Sequence, residues 1–99
     1  MSFVCVLEIQ LHFPDNGSLK GKRKELSLLK AQLQRRFGAA VSETAHHDLW
    51  QRSELTAALV GGEAAALRNK AAALERYVIS MFPDGARVEC RLVSREDLL

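Results

Sequence analysis

Three observations predict an α+β domain of the ferredoxin-like class, a four-stranded antiparallel sheet with two helices on one face. Residues 3–13 place an apolar side chain at every second position, with Glu8, Gln10 and His12 among the residues between, which is the period of a half-buried strand. Two stretches, 19–37 and 63–82, repeat their leucines and alanines at helical spacing. Between and after them lie shorter extended runs, giving the order strand, helix, strand, strand, helix, strand. The chain has 99 residues, room for one hydrophobic core and not two. Residues 1–94 are therefore read as a single domain, with 95–99 as a short tail.

The first strand turns Phe3, Cys5, Leu7, Ile9, Leu11 and Phe13 to one side and Val4, Val6, Glu8, Gln10 and His12 to the other. Pro14-Asp15-Asn16-Gly17 is a turn cluster. Ser18 can cap a helix by accepting from a free amide of its first turn. Leu26, Leu29, Leu33 and Phe37 form the apolar stripe of that helix, and Gly38 stands where a helix ends in the left-handed conformation.

A weak strand follows from Ala39 to Ala45, and His46-His47-Asp48 interrupts it. The next extended run covers about Trp50 to Val60, until Gly61-Gly62 breaks it. Leu67, Ala71, Leu74, Val78 and Met81 mark the second helix, which Pro83-Asp84-Gly85 ends. Val88, Cys90 and Leu92 alternate with Arg87, Glu89 and Arg91 in the last strand. With right-handed crossovers, strands one and three lie in the centre. One end of the domain then gathers Lys20, Lys22, Arg23, Trp50, Arg52, Arg87 and the three histidines.

The net charge of +2 hides an asymmetry. Residues 18–36 hold seven bases and one acid, a sum of +6, while the rest of the chain sums to −4. A field of this kind steers anionic partners. Lys20, Lys22, Arg23 and Arg52 are the expected phosphate ligands, and Trp50 the expected stacking platform for an unpaired base. The competing reading makes the basic stripe a solvated face and Trp50 a packed residue. An RNA-recognition motif of the usual kind is disfavoured, since the open face of strand one has no aromatic side chain.

Other chemistries find little support. Gly17 to Arg23 resembles a phosphate loop, but only three residues separate its glycines and Arg23 stands where a magnesium-binding hydroxyl belongs. Gly21 is better read as a place where a neighbour approaches the helix closely. His12, His46, His47 and Asp48 are metal-ligand types, yet adjacent residues of an extended chain point apart. Cys5 and Cys90 both fall on core faces of neighbouring strands and are expected as reduced, buried thiols, with no CxxC pair to suggest redox work. Ser18, His12 and Asp48 hold the ingredients of a triad without its spacing signature. No enzyme activity, cofactor, metal or small-molecule substrate is expected.

The apolar residues of the open face, Val4, Val6, Ala58 and Val60, together with Val93, offer a surface for a second copy or another protein. No apolar run approaches the roughly 20 residues of a membrane helix. The start, Met1-Ser2-Phe3, lacks the basic region of a secretory signal, so a cytoplasmic location is expected.

Ser18-Leu19-Lys20, Lys22-Arg23, Arg36-Phe37, Val41-Ser42-Glu43 and Asp48-Leu49-Trp50-Gln51-Arg52 occur in this order. In these strings the chain resembles the YlxP-like family of small bacterial proteins, a domain of unknown function, over roughly residues 2–94. It departs from that family at Gly21, where glutamate is common. The resemblance implies a ferredoxin-like fold. It also implies a role near translation or ribosome maturation, because family genes often neighbour those of a translation initiation factor and a ribosome-binding factor. It supplies no catalytic residues. The expectation is a non-enzymatic accessory protein that contacts RNA or the ribosome, the alternative being an interaction module that homodimerises through its sheet.

Overall fold

A computed structural model describes all residues, Met1–Leu99. The elements are β1 (Phe3–His12), α1 (Leu19–Phe37), β2 (Ala40–Ala45), β3 (Arg52–Gly61), α2 (Ala64–Met81), β4 (Ala86–Ser94) and α3 (Arg95–Leu98). The strands form one antiparallel sheet in the order β2-β3-β1-β4, with β1 and β3 central as the sequence predicts. This is the ferredoxin-like arrangement.

The alternation of β1 decides which face is covered. Cys5, Leu7, Ile9 and Leu11 are buried, while Val6, Glu8 and His12 between them are exposed. Leu55, Ala57 and Leu59 of β3 lie on the same covered face. Leu26, Leu29 and Leu33 of α1 and Leu67, Ala71, Leu74 and Val78 of α2 pack onto it. Phe13 and Phe82 meet edge to face at 5.4 Å between ring centres and close one end of the core. At the other end Phe37 meets Tyr77 at 6.0 Å, and the Arg36 guanidinium sits 4.7 Å from the Tyr77 ring centre.

The helix signals act as expected. The Ser18 hydroxyl accepts from the Gly21 amide at 3.0 Å. Gly38 adopts φ 65 and its amide returns to the carbonyls of Gln34 and Leu33, so α1 ends where a side chain would be strained.

Two expectations are corrected, the start of β3 and the burial of Cys90. Strand β3 begins at Arg52, so Trp50 and Gln51 belong to the connection before it. The short tail holds the one-turn helix α3: Ser94 and Asp97 form a capping box, and the Arg95 amide donates to the Ser2 carbonyl at 2.9 Å. Cys90 faces the helix side, but β4 is an edge strand and the thiol is exposed there. Strand parity tells which face a residue takes, not whether a helix reaches far enough to cover it.

Candidate functional site: a loop held by a buried lysine

Lys22 is one turn upstream of Leu26 on the inner stripe of α1 and is fully buried. Its ammonium donates to the carbonyls of His46 at 2.8 Å, His47 at 3.3 Å and Arg52 at 3.2 Å. It also pairs with Glu43 Oε2 at 3.2 Å. Lys22 is therefore not available to hold a phosphate. Three donors spread over four oxygens leave no buried polar atom without a partner.

Glu43 reaches this point from the covered side of β2, and the buried Ser53 hydroxyl donates to the same Oε2 at 2.7 Å. Burial pushes the Glu43 carboxyl up, but the Ser53 hydroxyl and the Lys22 ammonium, with a smaller part from His47, outweigh it. The net shift is downward. The pairing of β2 with β3 slips between Glu43 and Ala45, which leaves Thr44 free of a ladder partner. Its hydroxyl bridges Glu54 and Thr56 on the open face.

The connection between β2 and β3 is shaped by this grip. His46 takes φ 65, a left-handed conformation uncommon outside glycine, as the chain leaves β2 and its carbonyl meets Lys22. His47 Nε2 lies 3.1 Å from the Glu43 carbonyl. These contacts give the histidine pair a structural place that its sequence spacing does not reveal. No three histidine, cysteine or carboxylate side chains converge closely enough to hold a metal ion.

A second grip comes from the turn after β1. Asn16 Nδ2 donates to the carbonyls of Trp50 at 2.5 Å and Ser18 at 2.7 Å. The Phe13 amide donates to the Gln51 carbonyl at 2.8 Å. Gly21 makes room for Asn16, since a Cβ there would stand 2.5 Å from Asn16 Oδ1. The close approach expected at Gly21 is thus made by the side chain that ties α1 to the Trp50 backbone.

Held this way, the loop turns Leu49 and Trp50 outward, 46% and 54% exposed. Trp50 is not a core residue. It lines a shallow recess of about 550 Å³ with Asp48, Leu49, Gln51 and Arg52. Arg52 also borders a larger depression of about 790 Å³ with His12, His46 and Arg87, where Glu8, Asp84 and Glu89 add negative charge. Lys20 and Arg23 are exposed in the first turns of α1. The structure's two ion pairs, Lys22–Glu43 and Arg87–Glu89, leave Lys20, Arg23 and Arg52 without a carboxylate partner.

Of the expected residues, His12, His46, Trp50, Arg52 and Arg87 line two recesses that meet at Arg52, Lys20, Arg23 and His47 line neither, and Lys22 is withdrawn into the frame. On the open sheet face Val4 pairs with Val60 and Val6 with Ala58 across the central strands. Val60 is 71% exposed.

A family described as a protein of unknown function, DUF503, matches residues 4–91. The chain belongs to the DUF503 family. No protein of curated function matches this DUF503 sequence. Among solved structures, the de novo designed protein Foldit4 is similar with a TM-score of 0.62 at 10% identity, over 96% of this chain and 99% of that one. The designed protein Ferredog-Diesel aligns with a TM-score of 0.43 at 17% identity, over 92% and 84%. The crystal structure of At3g17210 from Arabidopsis thaliana aligns with a TM-score of 0.49 at 15% identity, over 90% and 93%. At 10% identity the likeness to Foldit4 speaks for the fold alone. No helix of this DUF503 chain is long and apolar enough to cross a membrane.

Lys22→Met removes the ammonium and leaves Glu43 and three carbonyls buried without their donor. It is expected to cost about 3–5 kcal/mol in urea unfolding. It should also raise hydrogen exchange at amides 46–52 more than elsewhere. The depressed Glu43 pKa means that its stabilisation is complete above the ordinary value of 4.5 and is lost as pH falls through the lower folded value. Glu43→Gln should flatten that acid limb of the stability profile while lowering stability at neutral pH.

Proposed function

We propose that this protein is a non-enzymatic accessory protein that binds single-stranded RNA, in the setting of translation or ribosome maturation. The observation that carries the reading is an exposed Trp50 on a loop whose backbone is tied down from two sides. A large apolar ring kept in water on a mobile loop would lose ordering entropy on contact; here that ordering is already part of the fold. A base can stack on the ring, and Lys20, Arg23 and Arg52, free of carboxylates, are the cations available to phosphates. Exposed Lys24 lines the neighbouring groove with Asn16 and Gly21 and extends the positive rim.

The sheet face is poorly suited to this role. Glu8, Glu54 and Glu89 lie across its middle beside Arg87 and Arg91, so the face carries mixed charge and no net positive field for an RNA laid over the strands. The resemblance to the YlxP-like family supports the translational setting.

A second reading has its own support on the open face. The cross-strand pairs Val4–Val60 and Val6–Ala58 form a continuous apolar patch, which suits a sheet-to-sheet homodimer.

Titration of a labelled single-stranded RNA oligonucleotide over a range of salt concentrations tests the first reading. Trp50→Ala should weaken binding by about 1–3 kcal/mol. Arg23→Glu with Arg52→Glu should flatten the salt dependence by roughly 0.7 in the log–log slope for each phosphate that is no longer neutralised. Binding that ignores both variants would refute it. For the second reading, light scattering should return twice the 11.0 kDa chain mass, and Val60→Lys should return the monomer. A wild-type monomer at high concentration would exclude the dimer.

A further inference from the structure

The chain has two cysteines, and folding brings them together from opposite ends of the sequence. Leu7 pairs with Cys90 and Cys5 with Leu92, so the two thiols are diagonal neighbours on the helix-facing side of β1 and β4. Their Sγ atoms are 3.4 Å apart. Their surroundings differ sharply. Cys5 is fully buried in the core, while Cys90 is exposed on the edge strand. Burial, and then the neighbouring Cys90 thiol, push Cys5 up to about 11, with Arg68 acting weakly the other way. Cys5 therefore keeps its proton at neutral pH, and Cys90 is the thiol that a solute can reach.

We propose that Cys5 and Cys90 form a thiol–disulfide exchange site that takes low-molecular-weight disulfides. The Cys90 thiolate attacks one sulfur of the disulfide, whose S–S bond breaks. One small thiolate leaves and takes up the proton that Cys90 released. Cys5 then gives up its proton and attacks Cys90 Sγ. The mixed disulfide bond breaks, and the second small thiolate departs with that proton. Two protein thiols are oxidised by two electrons and one small disulfide is reduced to two thiols. The exposed partner starts the exchange and the buried partner resolves it.

The geometry favours a reversible bond over a permanent one. A disulfide brings its sulfurs to about 2.0 Å, a short closure from contact. Diagonal positions of an antiparallel pair lie farther apart than directly opposite ones, so the bond forms under strain. Strained, accessible disulfides are the readily reduced ones. An edge strand, bonded on one side only, can shift to close the gap. This site is independent of the RNA reading.

The test incubates the full-length reduced protein with oxidised glutathione, quenches with an alkylating reagent and reads the intact mass. The expected product is a monomer that has lost two hydrogens and takes up no alkyl group, and dithiothreitol restores both thiols. Cys5→Ser should accumulate a single glutathione adduct on Cys90. Cys90→Ser should stay reduced. A wild-type protein that remains reduced, stops at the glutathione adduct or links into disulfide dimers would overturn the proposal.

Discussion

The Lys22 ammonium lies out of water with four oxygens around it, and the shape of this end of the domain depends on that one placement. A buried cation is tolerated only when its donors are matched. Here the match draws on three separate pieces of chain. Helix α1 brings the donor, β2 brings Glu43, and the connection into β3 brings its carbonyls. Each piece must be in position for the others to be satisfied. The arrangement therefore contributes definition more than net stability, since removing any one partner strands the rest in a dry environment.

Much of the fold is legible in the sequence because its signals are local. The alternation of Phe3 to Phe13, the cap at Ser18, the stop at Gly38 and the spacing of Leu67, Ala71, Leu74 and Val78 each report a neighbourhood of a few residues. The site is legible only in part. Trp50, Arg52, Lys20 and Arg23 are exposed, as the sequence suggests. Lys22 misleads because its charge draws more weight than its position, although it precedes Leu26 by four residues and Leu33 by eleven on the same stripe. Its partners are mostly main-chain carbonyls, which no side-chain pattern displays. The left-handed His46 is equally hidden. Cys90 shows a different limit: its parity is right, but coverage depends on where a helix ends over an edge strand.

The two sides of the sheet divide the molecule's chemistry. Its covered face is almost wholly apolar, apart from the Lys22–Glu43–Ser53 network at one corner. Its open face runs from a valine-rich end to an end of carboxylates and amides, where Gln10 donates to both Glu8 and Glu54. Arg87 and Arg91 of β4 stand on this same face beside Glu89, while the densest positive charge is on α1.

Most bonds that clasp the Trp50 loop from outside end on its main chain, the exceptions being those of the His47 ring to the Glu43 carbonyl and of the Gln51 amide to the carbonyls of Pro14 and Asn16. Lys22 holds the carbonyls of His46, His47 and Arg52, Asn16 holds that of Trp50, and the Phe13 amide holds that of Gln51. All residue types carry those carbonyls. The scaffold therefore constrains the path of residues 47–51 while leaving the side chains of Asp48, Leu49 and Trp50 unheld. Such a frame lets the tip drift in sequence, and acquire new partners, while its outline stays the same.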